Sequence, residues 1–289
     1  MKKRNAIIMA AGTSSRFVPL SAERPKGLIE VKGEVLIDRQ IRQLQEACIN
    51  DITIVVGYKA EMFEYLKGKY GVNIVMNEDF ARFNNTSSVI RVIDKLDNTF
   101  VCSSDNYFPK NVFMSESADS YYSALYADGG TGEYCITTDD DDQIVEVSVG
   151  GRDSWYMVGH VFFNHEFSDV FRKIMIDEYQ KLETRQGYWE DVYIRYINQL
   201  PKMKINRYQS GEILEFDSID ELRLFDESYK NDTRSSVVKQ ICKELAINEC
   251  DVHSFKNIKH REDYLLFNFK VGDTPYLYNA LGGKKIERL

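Results

Sequence analysis

Residues 6–27 read AIIMAAGTSSRFVPLSAERPKG, and this stretch decides the fold. The apolar run Ala6-Ile7-Ile8-Met9 has the length and makeup of a buried parallel strand. It leads straight into Ala10-Ala11-Gly12-Thr13-Ser14-Ser15-Arg16, a loop of small residues that ends at a fixed cation. A second cation follows in Pro25-Lys26. Small residues let a ligand approach the backbone, and free N–H groups in such a loop can hold phosphate oxygens. Arg16 and Lys26 then set positive charge where a triphosphate would lie. The spacing is neither that of a dinucleotide fold nor that of a P-loop. As loop chemistry alone, the stretch is equally a strand-to-helix turn followed by surface charges.

Outward from this segment, strand and helix patterns alternate. A helix is expected over Val35–Ala47, with Leu36, Ile37, Ile41 and Leu44 at helical spacing, then a β-branched strand over Asp51–Gly57. A helix near Met62–Tyr70, a strand at Asn73–Met76, a helix near Ser87–Leu96 and a strand at Phe100–Ser103 follow. Repeated βα units imply a parallel sheet, with ligands bound at the carboxyl ends of its strands. That rule sets Gly12, Gly57-Tyr58 and Ser104-Asp105 along one rim. From Tyr121 the texture turns to β, with strands expected at Ser120–Tyr126, Tyr134–Thr137, Ile144–Val149 and Trp155–Phe163. Helices near Ser168–Leu182 and Tyr188–Leu200 come next, then a short strand ending in Glu215-Phe216-Asp217, and Ser218 is placed to cap a helix over Ile219–Phe225. The polar segment Tyr229–Thr233 marks a boundary between a main domain, 1–230, and a small α+β extension, 231–289. In the extension a helix over Val237–Leu245 precedes strand-like runs at Val252–Ile258, Tyr264–Val271 and Tyr276–Leu281.

The chain has 289 residues, 43% of them hydrophobic, enough for one large domain with an appendage. A net charge of −8 argues against a nucleic-acid partner, which needs basic surface. Five scattered cysteines without a CxxC pair read as free thiols in a reducing compartment. Met1-Lys2-Lys3-Arg4 resembles the basic start of a signal peptide, but the apolar run behind it is too short, and no stretch approaches membrane-spanning length. A cytoplasmic protein with no membrane insertion is expected. The aspartates Asp139 to Asp142 read as a solvated hairpin turn.

Chemistry is carried by two acidic motifs. Asp105, in Ser104-Asp105-Asn106-Tyr107, follows a buried strand and can project into the rim cleft. Glu215 and Asp217 alternate along an extended chain, so both face one side. Magnesium in nucleotide enzymes is held by one or two carboxylates, phosphate oxygens and water, and Asp105 with Asp217 could supply the carboxylates. A turn or cap role is the alternative for each.

The whole pattern resembles the nucleotidyltransferases that make nucleoside-diphosphate sugars and alcohols, and within them the bacterial CTP:phosphocholine cytidylyltransferases. Beyond AAGTSSR and PKG, the matching pieces are VVGYKAEMFEYLKGKYGV, the double asparagine of FNNTSSV, SDNYF, GYWEDVY and EFDSIDELR. The resemblance runs over about residues 5–228. It implies an α/β, Rossmann-like fold with a mostly parallel central sheet and a β-rich acceptor-binding part. It implies that Arg16 and Lys26 bind the CTP phosphates, with Asp105 and Asp217 on Mg2+. Asn84, Asn85 and Ser88, with the Ala10–Gly12 backbone, would lie around the cytosine and ribose. Thr13, Ser14, Tyr58 and Ser104 complete the expected nucleotide rim. Two departures stand out: Ser103 where a second acidic residue is usual, and Ser14 where a glycine is usual.

The reaction so implied needs no protein nucleophile. An acceptor phosphate oxygen attacks the α-phosphorus of CTP and pyrophosphate leaves, so catalysis is positioning plus charge neutralisation by Lys26, Arg16 and a metal on Asp105. No role falls to His160, His165, His253 or His260. For a quaternary ammonium head group the chain offers the aromatic faces of Tyr107, Tyr134 and Trp189, with Glu190 and Asp191 adding negative charge. A primary amine, as in phosphoethanolamine or aminoethylphosphonate, would favour the carboxylates. Rival readings are a sugar-1-phosphate nucleotidyltransferase and a silent nucleotide-sensing or scaffold domain. The extension resembles the start of a choline-kinase-type lobe without its catalytic motifs, so no kinase activity is expected. Pairing into a homodimer and fusion to a kinase module are both left open.

Overall fold

The computed structural model describes residues 3–114, 117–261, 264–280, 283 and 285–289. It divides into two compact units, each built from two stretches of chain: Met1–Gly12 with Ile37–Leu214, and Thr13–Leu36 with Glu215–Leu289. The extension expected at 231–289 thus shares its unit with residues 13–36 and 215–230.

The first unit is organised by a seven-stranded sheet in the order Lys204–Arg207, Tyr121–Thr138, Ile144–Phe163, Thr99–Ser103, Asn5–Ala10, Ile52–Val56, Asn73–Met76. The last four run parallel to one another. Ile144–Phe163 is antiparallel to the strands on both sides. Ile52 to Val56 are buried at every position, which requires cover on both faces and explains the unbroken apolar run. From Asn5–Ala10 the chain proceeds outward to Ile52–Val56 and Asn73–Met76, then returns to Thr99–Ser103 on the other side. The order reverses between Asn5–Ala10 and Thr99–Ser103, and the carboxyl ends of strands at such a reversal are where α/β sheets bind ligands.

The expected mostly parallel α/β sheet is therefore present. The four β segments expected between 120 and 163 are a correction: they are two long strands, Tyr121–Thr138 and Ile144–Phe163. Glycines interrupt the apolar alternation there, but they serve register shifts within a continuous ladder, and Gly129 and Gly150 take positive φ of 96° and 76°. Asp139 to Asp142 form the tip of this hairpin, with Asp139 Oδ1 accepting from the Asp141 and Gln143 amides at 3.1 and 2.9 Å. The short strands Lys204–Arg207 and Lys285–Arg288 were not foreseen, because so few residues carry no readable alternation.

Asn164 caps the helix His165–Glu178, its Oδ1 accepting from the Phe167 amide at 2.9 Å. The core of this unit gathers Phe163, Phe167, Phe171, Trp189, Tyr193 and the sheet's apolar face. His160 is buried among Phe100, Phe108 and Phe113, and burial pushes its ring down to about 3, so it stays neutral. His165 is exposed beside Asp97, and His253 bonds Ser254. The side chain of His260 and residue Leu281, the end of the last expected strand, lie outside the described residues.

In the second unit, Ser218 caps the helix Ile219–Phe225 as its sequence position requires, accepting from the Glu221 amide at 3.1 Å. The helix Ser236–Leu245 precedes a four-stranded antiparallel sheet, Val252–Arg261, Tyr264–Val271, Thr274–Asn279 and Lys285–Arg288. Phe255, Phe267, Phe269 and Tyr278 form its core. All five cysteines carry free thiols. Among the described residues no helix is long and apolar enough to cross a membrane.

Candidate active site

In the first unit the rim foreseen at the strand ends is assembled. The Tyr58 amide donates to Ala11 O at 3.1 Å, and the Ser104 amide donates to Met9 O at 3.2 Å. The loops after three neighbouring strands are thereby stitched together. A Cβ on Gly57 would lie 2.7 Å from Phe80 Cβ and 2.9 Å from Ala11 O, so only glycine lets that loop seat against Ala11. A Cβ on Gly12 would meet nothing within 4 Å, and the space above the loop is open. Ala10 and Ala11 are buried, Gly12 is exposed, and Asp105 is half-buried at the end of its strand.

The loop beyond Asp105 is held by Arg39, an unforeseen residue. Its guanidinium donates to Phe108 O and Pro109 O at 2.8 and 2.9 Å and lies 4.6 Å from the centroid of the Tyr107 ring. Tyr107 is buried against that cation, so the expected acceptor-facing role does not fit the ring's packing.

Two expected nucleotide contacts are also turned inward. Asn77, fully buried, donates to Ser87 Oγ and Ser88 Oγ at 2.8 and 2.9 Å. Ser88 therefore braces the start of the helix Thr86–Arg91. Asn84 Oδ1 accepts from the Asn85 amide at 2.8 Å. Asn85 reaches the other side of the unit: its Oδ1 accepts from the Trp189 amide at 2.8 Å and its Nδ2 donates to Glu190 at 3.1 Å.

The acceptor residues form one network, with a correction. Trp189 is 4% exposed, stacked on Tyr122 at 5.8 Å and edged by Phe163 and Phe171. It is a core residue, and its faces are taken. What its helix presents is Glu190 and Asp191. Tyr122 donates to Glu190 at 3.3 Å, and Tyr134 donates to Asp191 at 2.8 Å. Burial pushes the Glu190 carboxyl up to about 7, opposed by the hydrogen bonds from Asn85 and Tyr122. Burial and the bond to Asp191 push the Tyr134 hydroxyl well up, which keeps it a neutral donor. Tyr122 was not singled out from the sequence; its position in a strand looked like core alone.

In the second unit four charged residues meet. Lys26, only 5% exposed, donates to Glu215 Oε1 at 3.3 Å and to Asp217 Oδ1 at 3.2 Å. Arg16 takes the other oxygen of Asp217 at 2.9 Å. The alternation of Glu215 and Asp217 thus does put both carboxylates on one side. Ser14 adopts φ 49°, the left-handed region where glycine is the usual occupant, at a cost of about 1 kcal/mol. Of the two expected metal ligands, Asp217 is partly exposed and Asp105 is half-buried, and their carboxylate oxygens are hard donors of the kind that suit a divalent ion carrying phosphate oxygens. Among the described residues no group of three or more His, Cys, Asp or Glu side chains is placed to hold a metal ion.

A profile for the MobA-like NTP transferase domain matches residues 6–187. The chain belongs to this nucleotidyltransferase family. The choline-phosphate cytidylyltransferase of Streptococcus pneumoniae is 33% identical over 227 residues, 78% of this chain and 99% of that protein. The 2-aminoethylphosphonate cytidylyltransferase of Lancefieldella rimae is 35% identical over 232 residues, covering 79% and 94%. The solved structure of the CTP:phosphocholine cytidylyltransferase from Streptococcus pneumoniae superposes with a TM-score of 0.75, over 79% of this chain and all of that one. The nucleotidyltransferase is accordingly an enzyme of the cytidylyltransferase class, as the resemblance over residues 5–228 implied. Its family works in general with a divalent metal. Relatives named for a choline phosphate and for an aminophosphonate match almost equally.

Proposed function

We propose that this chain transfers CMP from CTP to phosphocholine, forming CDP-choline and releasing pyrophosphate. The observation that carries the nucleotide half is the nearly buried Lys26, held between Glu215 and Asp217 with Arg16 on the same aspartate. An arriving triphosphate offers this lysine and Arg16 an alternative, multiply charged partner. Asp105 and Asp217 are the residues proposed to hold Mg2+, which would neutralise phosphate charge when bound. The amides of Ala11, Gly12, Thr13 and Ser14 are proposed to line the phosphates. Tyr58, Asn84 and Ser104 are proposed for the nucleoside side.

In the transfer, an oxygen of the acceptor phosphate forms a bond to the α-phosphorus while the bond to the β-phosphate oxygen breaks. The phosphomonoester is already largely ionised at neutral pH, so no general base is needed. Lys26 and Arg16 follow the charge onto the leaving pyrophosphate, and rate comes from alignment and preorganised charge. Glu190, Asp191 and Tyr134 are proposed to receive the head group.

A second reading, 2-aminoethylphosphonate or phosphoethanolamine as acceptor, is favoured by one observation. With Trp189 packed in the core, the head-group residues that remain are two carboxylates and a tyrosine hydroxyl. These can hydrogen-bond a primary amine. A quaternary ammonium relies on charge and aromatic faces, at about 0.5 to 2 kcal/mol per face.

Free thiols throughout support a cytoplasmic setting. We also propose 1–230 as the transferase and 231–289 as an appended module of kinase-lobe type, with self-association open to measurement. The test is pyrophosphate release with CTP, magnesium and a panel of phosphocholine, phosphoethanolamine, 2-aminoethylphosphonate and sugar 1-phosphates. Highest kcat/KM is expected with phosphocholine. Preference for the primary amines would establish the second reading, and turnover of sugar phosphates alone would overturn both.

A further inference from the structure

The segment that carries Lys26 is anchored on both sides by residues from the C-terminal extension. Three residues before Lys26, the Glu23 carboxylate accepts from the Ser235 hydroxyl, from the Ser236 amide at 2.9 Å and from the Val237 amide at 3.4 Å. These donors stand at the start of the ten-residue helix Ser236–Leu245, whose first amides have no partner within the helix. A carboxylate there is further favoured by the helix dipole. Four residues after Lys26, the Glu30 carbonyl accepts from the Tyr229 hydroxyl at 2.7 Å and from Arg234 Nη1 at 3.2 Å. The Arg234 guanidinium lies 4.3 Å from the Tyr229 ring centroid and 3.5 Å from the Glu30 carboxylate. Arg234 itself holds a left-handed φ of 59°, a strained conformation that persists only where surrounding bonds impose it.

Nothing in the transfer chemistry requires these bonds. We propose that residues 234–237 are a positioning clamp for Lys26, so that nucleotide affinity depends on the extension being seated on residues 23–30. The proposal rests on the reading of Lys26 as a nucleotide ligand. The pneumococcal relative is matched along 99% of its length by 78% of this chain, so this chain carries sequence with no counterpart there. The clamp gives residues 234–237 control over the segment that carries Lys26. Glu23 and Arg234 are positioning residues, since each acts on Lys26 through the backbone.

The experiment uses the full chain with Glu23→Gln and, separately, Arg234→Ala. Lys239→Ala serves as control, because Lys239 pairs with Asp232 at 2.9 Å on the exposed side of the same helix. CTP and phosphocholine binding are measured by calorimetry, and amide hydrogen exchange is followed over residues 24–28. Both test variants are expected to weaken CTP by about 3- to 30-fold. Phosphocholine affinity stays within twofold of wild type, and exchange at 24–28 accelerates. Lys239→Ala behaves as wild type. Unchanged CTP affinity in both variants, or equal loss of both ligands, overturns the clamp. If wild type itself fails to bind CTP, the nucleotide reading falls, and the clamp is judged on hydrogen exchange: unchanged protection at 24–28 refutes it.

Discussion

Raising the pH from 6 to 8 should tighten binding of a cationic head group by about tenfold, because the carboxyl of Glu190 titrates near 7. A group ionising at that value is about one-tenth charged at pH 6 and about nine-tenths charged at pH 8. A cation that binds the charged form follows the same ratio. Calorimetric titration with choline and with ethanolamine isolates this effect, since neither carries a phosphate whose own ionisation near pH 6 would intrude. Glu190→Gln should bind both weakly and with no slope. The apo fold feels the same proton with opposite consequence. The folded carboxyl sits above its ordinary value of 4.5, so the native state holds the proton more tightly than the unfolded chain. Stability therefore falls as pH rises from about 4.5 through 7, by no more than about 2 kcal/mol once the partial exposure of Glu190 is allowed for. The glutamine variant lacks that slope in thermal or denaturant unfolding. Choline affinity that is constant from pH 6 to 8, or a Glu190→Gln profile that superimposes on wild type, would refute the assignment.

Other outcomes follow from the same contacts. Lys26→Met should lower kcat/KM for CTP by about 10²- to 10³-fold, the usual effect of removing a preorganised charge partner, with circular dichroism unchanged. Trp189→Ala should destabilise the fold by about 3 to 5 kcal/mol in urea unfolding, because the indole fills a core bounded by Tyr122, Phe163 and Phe171. A Trp189→Ala variant with wild-type stability and impaired acceptor binding would restore Trp189 as an aromatic face for the head group. Gly57→Ala should cost about 1 to 3 kcal/mol and raise KM for CTP, since its Cβ would press on Phe80 and Ala11 O.

The candidate nucleotide loop was legible because its signals are local. The apolar strand Ala6–Met9, the small-residue loop and the PKG turn lie within one short stretch. The buried strand Ile52–Val56 and the Ser218 cap are likewise set by a few neighbouring residues. Where partners are distant, local pattern was insufficient. Lys26 meets Asp217 from 191 positions away, and Asn85 meets Glu190 from 105. Whether Trp189 faces a ligand or a core depends on Tyr122 and Phe163, which belong to strands whose register no local signal reveals. The two long hairpin strands show the same limit: glycines that break alternation in the chain are absorbed as bulges in the ladder.

Residue types and short-range spacing thus specify the strand–loop motif and most element boundaries, since these follow from backbone preference and neighbouring side chains, while the class of enzyme came from the resemblance of the whole pattern to a known family. Packing assigned the remaining roles. It put Trp189 inside, turned Ser88 toward Asn77, raised the Glu190 carboxyl to near neutrality and seated Glu23 on the helix of the extension. Each of these depends on burial or on a hydrogen-bond partner far along the chain, and both exist only once the chain is folded.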